Sequence, residues 1–121
     1  MAATAIAEQA VVGAYIQETA TQFTTLTMTA GDAANMNKVV MSGRRVLLII
    51  QNSDAANAEW VTVYASDDAY GRATNITQQS IPASGWAAYI FEPGGWEQTL
   101  GGRDLLFDPE SADLKFVAIP L

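Results

Sequence analysis

The feature that most constrains the fold is a succession of short apolar and β-branched runs, each ended by turn-forming residues. The strongest run lies within residues 44–52, where positions 46–50 read Val-Leu-Leu-Ile-Ile. The other runs are shorter, and Gly, Pro, Asn and Asp separate them. This spacing is typical of all-β sandwiches and barrels. We therefore predict a single all-β domain of seven or eight short antiparallel strands, a sandwich or a barrel of the jelly-roll or β-tulip type.

The expected strands follow from alternation of apolar and polar positions. Residues 44–52 are apolar at successive positions, so we expect this strand at the centre, with both faces covered. The polar run at residues 74–81 is expected at a sheet edge, while Trp60 and Trp86 are expected in the core. The full set of predicted strands is 23–29, 39–41, 44–52, 59–65, 74–81, 86–91, 104–108 and 114–119.

The first 22 residues differ from the rest, because small and polar side chains dominate them. We predict that residues 1–22 form an arm, extended or partly helical, that orders against a partner, and that residues 23–121 form the β domain. A frayed terminus with one edge strand is the alternative interpretation. The large apolar residues that would contact the partner are Ile6, Val11, Val12, Tyr15 and Ile16.

Trp96 is the sixth predicted partner contact. It follows Pro-Gly-Gly at residues 93–95 and is expected in a loop or at its edge. An exposed Trp there would serve as an interface anchor or as a platform for a sugar ring. The alternative is a lid that folds over the end of the core.

The composition argues against most catalytic and metal-binding functions. The 121 residues contain no His and no Cys, which removes the usual catalytic bases, thiol nucleophiles and zinc ligands. We predict no catalytic residue, no cofactor and no metal site. Asp67-Asp68, and Asp32 with Asn35, offer oxygen atoms to calcium but lack the pattern of a calcium-binding loop. The other acids, Glu59 among them, are interpreted as solvated groups.

Charge and hydropathy limit the partners. Six Lys and Arg against 13 Asp and Glu give a formal charge of −7. Nucleic acids and anionic membranes both attract cationic surfaces, so neither is an expected partner. The longest strictly apolar run is far shorter than the roughly 20 residues that span a bilayer. The N-terminus also lacks the basic region of a signal peptide.

Four segments of the body occur in a recognisable order. Residues 42–52 place Gly-Arg before an apolar run that ends in Gln-Asn, and residues 81–85 read Ile-Pro-Ala-Ser-Gly. Residues 89–93 read Tyr-Ile-Phe-Glu-Pro, and the chain closes with Phe-Val-Ala-Ile-Pro-Leu. This order resembles that of small structural proteins of tailed-bacteriophage virions, in particular capsid decoration (cement) proteins.

The resemblance implies a non-enzymatic protein that binds the outside of the capsid shell and stabilises the head. It would be made in the host cytoplasm and carried on the virion, as a homotrimer that binds the major capsid protein, with the N-terminal arm gripping the shell. The alternative from the residues alone is a ligand-binding β-sandwich, a carbohydrate-binding or receptor-binding module. Its candidate aromatics are Trp96, Tyr70 and Tyr89.

Overall fold

The computed structural model describes residues 3–11, 25–65, 74–98 and 104–121. Within these ranges the secondary structure consists of strands and one four-residue helical turn. In chain order the elements are β1 (Thr4–Ala5), β2 (Thr29–Ala30), β3 (Asn37–Val40), β4 (Val46–Asn52), β5 (Glu59–Val63), β6 (Ile76–Ile81), β7 (Trp86–Phe91), α1 (Pro93–Trp96), β8 (Glu97–Gln98), β9 (Asp104–Pro109) and β10 (Leu114–Pro120).

The strands form two sheets. The six-stranded sheet has the order β1-β3-β9-β5-β6, with β8 paired to β9, and the four-stranded sheet has the order β2-β10-β4-β7. Every strand pair is antiparallel except β1 with β3. The prediction of an all-β fold is confirmed, and the two-sheet arrangement is that of a sandwich.

The sheets share one apolar core. Along β4 every second side chain is buried, which is the period of two that a strand imposes. Phe107 of β9 and Phe116 of β10 meet between the sheets, with ring centroids 4.7 Å apart. Burying a side chain of this size contributes roughly 1.5–3 kcal/mol, so this contact is a substantial part of what joins the two sheets.

A tight turn carries the chain from one sheet to the other. β6 is an outermost strand of the six-stranded sheet and β7 is an outermost strand of the four-stranded sheet. Residues 82–85 connect the two strands. Gly85 donates its N–H to the Pro82 carbonyl at 2.8 Å, and a Cβ at Gly85 would lie 2.8 Å from that same oxygen. Glycine is therefore required at this position, and the turn places the outer strands of the two sheets side by side.

Asn52 links the two sheets by hydrogen bonds beside this turn. Its fully buried side-chain amide donates to the carbonyls of Ile81 at 3.0 Å and Asn57 at 3.1 Å. Its Oδ1 atom accepts the N–H of Asp54 at 2.9 Å. Since Asn52 ends β4 and Ile81 ends β6, one side chain links the four-stranded sheet to the six-stranded sheet.

The described part of the N-terminal segment packs on the β domain. β1 pairs with β3, and the Thr4 hydroxyl donates to Asp32 at 2.6 Å. Glu8 forms an isolated parallel β-bridge with Ala118 of β10. Residues 12–22 lie outside the described residues, so the arm remains a prediction there.

The strand predicted at residues 23–29 is wrong for residues 25–28, and residues 23 and 24 lie outside the described ranges. The Gln9 side chain donates to the Thr27 carbonyl at 2.7 Å and accepts the Thr27 N–H at 2.9 Å. One amide thus supplies the two hydrogen bonds that a neighbouring strand would have made.

We expect Asn52→Ala to lower the free energy of unfolding by about 1–3 kcal/mol, because buried carbonyls lose their donor. Urea unfolding followed by tryptophan fluorescence measures this change. Gln51→Ala, at the neighbouring half-buried position of β4, is the control. Equal effects of the two substitutions would contradict the role assigned to Asn52.

Candidate functional site

The outward side of the four-stranded sheet is apolar. Leu47 and Ile49 alternate with the buried residues of β4 and point away from the core. Their cross-strand partners on β7 are Ile90 and Ala88, and Trp86 follows on the same side, opposite Gln51. We call Leu47, Ile49, Trp86, Ala88 and Ile90 the apolar outer face.

Trp86 and Ile90 are the exposed large side chains of this face, at 60% and 50% exposed. The prediction that Trp86 belongs to the core was wrong. In the observed register Trp86 is paired with Gln51, and both belong to the outward set of positions. Sequence alternation alone did not reveal which side of β7 faces the core, because both sides carry apolar residues.

No described strand pairs with the outer edge of β7. β7 is the last strand in the order of the four-stranded sheet. Residues 86–91 read Trp-Ala-Ala-Tyr-Ile-Phe and contain neither a charge nor a proline. Proteins usually protect an exposed edge with such residues, because its unpaired backbone groups can pair with another chain. An unprotected apolar edge marks a place where another chain can bind.

An apolar groove opens between β6 and β7. Its volume is about 380 Å³. Side chains from the two outer strands form its walls, and core residues of β4 and β5 form its floor. The wall residues include Ile76, Gln79, Ile81, Ala87, Tyr89 and Phe91, and the floor consists of Ile50, Val61 and Val63.

Three aromatic rings pack together beside the groove. Trp96, at the end of α1, contacts Phe91 edge to face with centroids 5.1 Å apart, and Tyr89 at 6.2 Å. Tyr89 and Phe91 are 4.7 Å apart. Trp96 is half-buried against the core, so its placement matches a lid and not an isolated exposed anchor.

The other predicted partner contacts fall in three groups. Ile6 is 2% exposed and lies in the core of its own chain, not on a surface open to a partner. Val11 is 53% exposed and available for contact. The remaining predicted aromatic and aliphatic contacts lie outside the described residues; these are Val12, Tyr15, Ile16 and Tyr70.

A cluster of carboxylates lies at one end of the sandwich. Oxygen atoms of Asp54, Glu59 and Asp113 all lie within 4.8 Å of one another, so these three residues could hold a metal ion. Glu59 is 8% exposed, which contradicts its interpretation as a solvated acid. Glu59, Val61 and Val63 occupy alternate positions of β5 and therefore lie on the same side of the strand. This alternation was the signal in the sequence that Glu59 faces inward.

The environment of Glu59 disfavours its charged form. Burial is the main reason that the pKa of the Glu59 carboxyl is raised, and the neighbouring Glu110 carboxylate raises it further. By contrast, the pKa of Asp54 is lowered, chiefly because the backbone N–H groups of Ala56 and Asn57 donate to its carboxylate.

Asp32 and Asn35, whose oxygen atoms are rejected as calcium ligands because the sequence lacks a calcium-binding loop, are hydrogen-bonded to each other in the structure. Asp32 accepts hydrogen bonds from the Thr4 hydroxyl and from Asn35, and the Thr4 contact is the main cause of its lowered pKa. Its oxygens therefore organise the loop before β3. Asp67 and Asp68 lie outside the described residues.

Comparison of the chain with protein-family models, with curated proteins and with solved structures gave no match. In the described part of the chain, no helix has the length and apolar character needed to cross a membrane.

We expect Ile6→Ala to lower the free energy of unfolding of the isolated chain by about 2–4 kcal/mol, because it removes a buried side chain from the core. Val11→Ala removes an exposed side chain of similar type and should change it by less than about 0.5 kcal/mol. Urea unfolding of the isolated protein compares the two. Similar small effects would show that Ile6 is dispensable to the core.

We expect the Glu59 carboxyl to make stability fall as pH rises, in buffers with chelator. Its folded-state pKa lies above the unfolded value, so the contribution of its protonated form is complete below the unfolded pKa and is lost as pH rises through the folded pKa. Glu59→Gln should remove this fall, as measured by thermal midpoints from about pH 4 to pH 8. The control is Glu92→Gln, which directly follows β7 at the end of the sandwich away from Glu59. An unchanged pH profile in Glu59→Gln would contradict this assignment.

Proposed function

We propose that the chain is a non-enzymatic assembly protein that binds a protein partner through its apolar outer face. The observation that carries this proposal is the combination of exposed Trp86 and Ile90 with an uncharged outer edge of β7 that is unpaired among the described strands. An apolar patch of this kind on a soluble domain is typical of an interaction surface. Tryptophan is also among the residues most often found at the energetic centre of interfaces.

The specific form of the proposal is a capsid decoration protein of a tailed bacteriophage. The order of segments along residues 42–121 supports it, as does a chain without His or Cys. The partner would be the major capsid protein, on the outer surface of the virion. A homotrimer on the shell would bind through several copies at once, which raises the overall affinity without a large interface per copy.

The two elements at β7 would contribute in different ways. Burial of Trp86 and Ile90 would contribute roughly 1.5–3 kcal/mol for each side chain, before the costs of association. A partner strand added along β7 would pair its backbone groups and fix the orientation of the partner. Val11, which is also exposed, would extend the contact on the side of the N-terminal segment.

We expect the double substitution Trp86→Ser and Ile90→Ser to reduce binding to capsid shells at least tenfold, because it removes both exposed anchors of the outer face. Co-sedimentation with shells of the phage that carries this sequence measures the binding. The matched control is Val40→Ser, at an equally exposed apolar position on β3 of the six-stranded sheet. Retained binding by the double variant, or an equal loss with Val40→Ser, would overturn the proposed binding surface. Failure of the unmodified chain to bind these shells would overturn the capsid proposal.

The groove beside Tyr89 supports a second candidate function, a ligand-binding sandwich. Its volume of about 380 Å³ is within the range of small-molecule sites, and a half-exposed tyrosine can stack on a sugar ring. Tyr89→Ala would then abolish binding in a glycan array. The outer-face double variant would leave glycan binding intact, so the two functions are separable.

A further inference from the structure

We propose that two copies of this chain pair through the outer edges of their β7 strands, antiparallel and about a two-fold axis at Ala88. Among the described strands none occupies that edge, and residues 86–91 carry neither a charge nor a proline. The pairing joins the two four-stranded sheets into one continuous sheet. A two-fold contact uses the same patch on both copies, so the patch must be complementary to itself.

The backbone of β7 is complementary to itself in one register. The Asn52 N–H donates to the Gly85 carbonyl at 2.9 Å, and the bonded side alternates along an antiparallel strand. Residues 87, 89 and 91 therefore bond toward β4, and the backbone N–H and C=O groups of Trp86, Ala88 and Ile90 point to the outer edge. With Ala88 on the axis, Trp86 lies opposite Ile90 of the second copy. Each of these outward pairs exchanges two hydrogen bonds.

The side chains fit the same register. Directly opposite residues lie on the same side of a sheet, with Cβ atoms about 4.5–5.5 Å apart. Trp86 therefore contacts Ile90 of the second copy on the apolar outer face, and small Ala87 lies opposite large Tyr89 on the groove side. Trp86, Tyr89 and Ile90 are 60%, 50% and 50% exposed on one chain, so the pairing covers the exposed large side chains of β7. A shift by one residue would set core-facing positions against outward ones.

The opposite side of the sandwich shows how this fold closes the opening between its sheets. There β1 pairs with β3, Ile6 is 2% exposed in the core, and Glu8 bridges to Ala118 of β10. One extended segment thus contacts both sheets and covers the space between them. Between β6 and β7 the described structure has no such segment, and the groove of about 380 Å³ remains open. The β7 strand of a second copy supplies that cover.

Charge and area both favour a second copy as the occupant. Each chain carries a formal charge of −7, so two copies approach most easily where the surface is uncharged. Glu92, which follows β7, is paired with Arg45 of its own chain. Trp86 and Tyr89 together expose roughly 200 Å² per copy, a quarter of the about 800 Å² that each partner buries in a standard interface. We therefore expect a reversible dimer with a dissociation constant on the order of 10 µM.

Sedimentation velocity of the full chain tests for the dimer directly. Between about 1 µM and about 1 mM, the weight-average sedimentation coefficient should rise from the monomer value to the dimer value. A chain that stays monomeric over this whole range would overturn the proposal.

Substitutions at Ala88, which is exposed on one chain, test the position of the axis. Ala88→Glu places two like charges opposite each other and should weaken the dimer by about tenfold or more, as should Ala88→Lys. An equimolar mixture of the two variants should recover the dimer, because opposite charges then face each other. Val40→Glu, on an equally exposed residue of β3, is the control and should leave the dimer unchanged. A mixture that stays monomeric would contradict this register.

A cysteine cross-link measures the same register by distance. The chain contains no Cys, so Ala88→Cys introduces a single thiol. Across the axis the two Cα atoms are about 5.5 Å apart, which suits a disulfide, and oxidation should give a covalent dimer. In the control Ala87→Cys the two thiols lie opposite Tyr89 of the other copy and not opposite each other, so little cross-linking is expected. Equal cross-linking of both variants would overturn the axis at Ala88.

The dimer also bears on the outer edge of β7 as a binding surface. One strand edge pairs with one strand at a time, so a chain bound to a shell through β7 would have left the dimer; this consequence alone rests on the proposed function. None of the measurements above uses a shell. A monomeric chain that still binds shells would overturn the dimer and leave the capsid proposal intact, and a dimer that binds no shell would do the reverse.

Discussion

The structure depends on β4, a strand that is apolar on both sides. Its inward residues Val46, Leu48 and Ile50 form part of the core, and its outward residues Leu47 and Ile49 cannot be buried by the same contacts. A strand of this composition is usual where both faces of a sheet are covered. The outward residues are only half-buried on this chain, so the sheet keeps an apolar surface beyond the needs of its own core.

The turn between β6 and β7 places this additional apolar surface in one defined region. Because the turn at residues 82–85 carries the chain from one sheet to the other, both strands lie at sheet edges and the core is accessible between them. The apolar outer face, the outer edge of β7 and the groove are therefore parts of one region of the described structure. A partner that covered this region would bury the outward residues of β4, which are only half-buried on this chain.

The fold class and most strands could be predicted from alternation, because a period of two is a local property of the chain. The facing of β7 could not, since Trp86 and Tyr89 are both large and only the register with β4 decides which points outward. Nor could the non-strand backbone of residues 25–28, since the side chain that hydrogen-bonds to Thr27 belongs to Gln9, a residue distant in the sequence. The carboxylate cluster likewise unites residues 54, 59 and 113, which no local pattern connects.

Backbone hydrogen bonds connect the loop of the carboxylate cluster to the start of the apolar outer face. The Ser84 N–H donates to the Asp54 carbonyl at 2.9 Å, and the Asn52 N–H donates to the Gly85 carbonyl at 2.9 Å. The loop that carries Asp54 is thus bonded to the turn that leads directly into Trp86. The position of the Asp54 loop and the start of β7 are therefore linked by two backbone hydrogen bonds, although the two features lie on different parts of the surface.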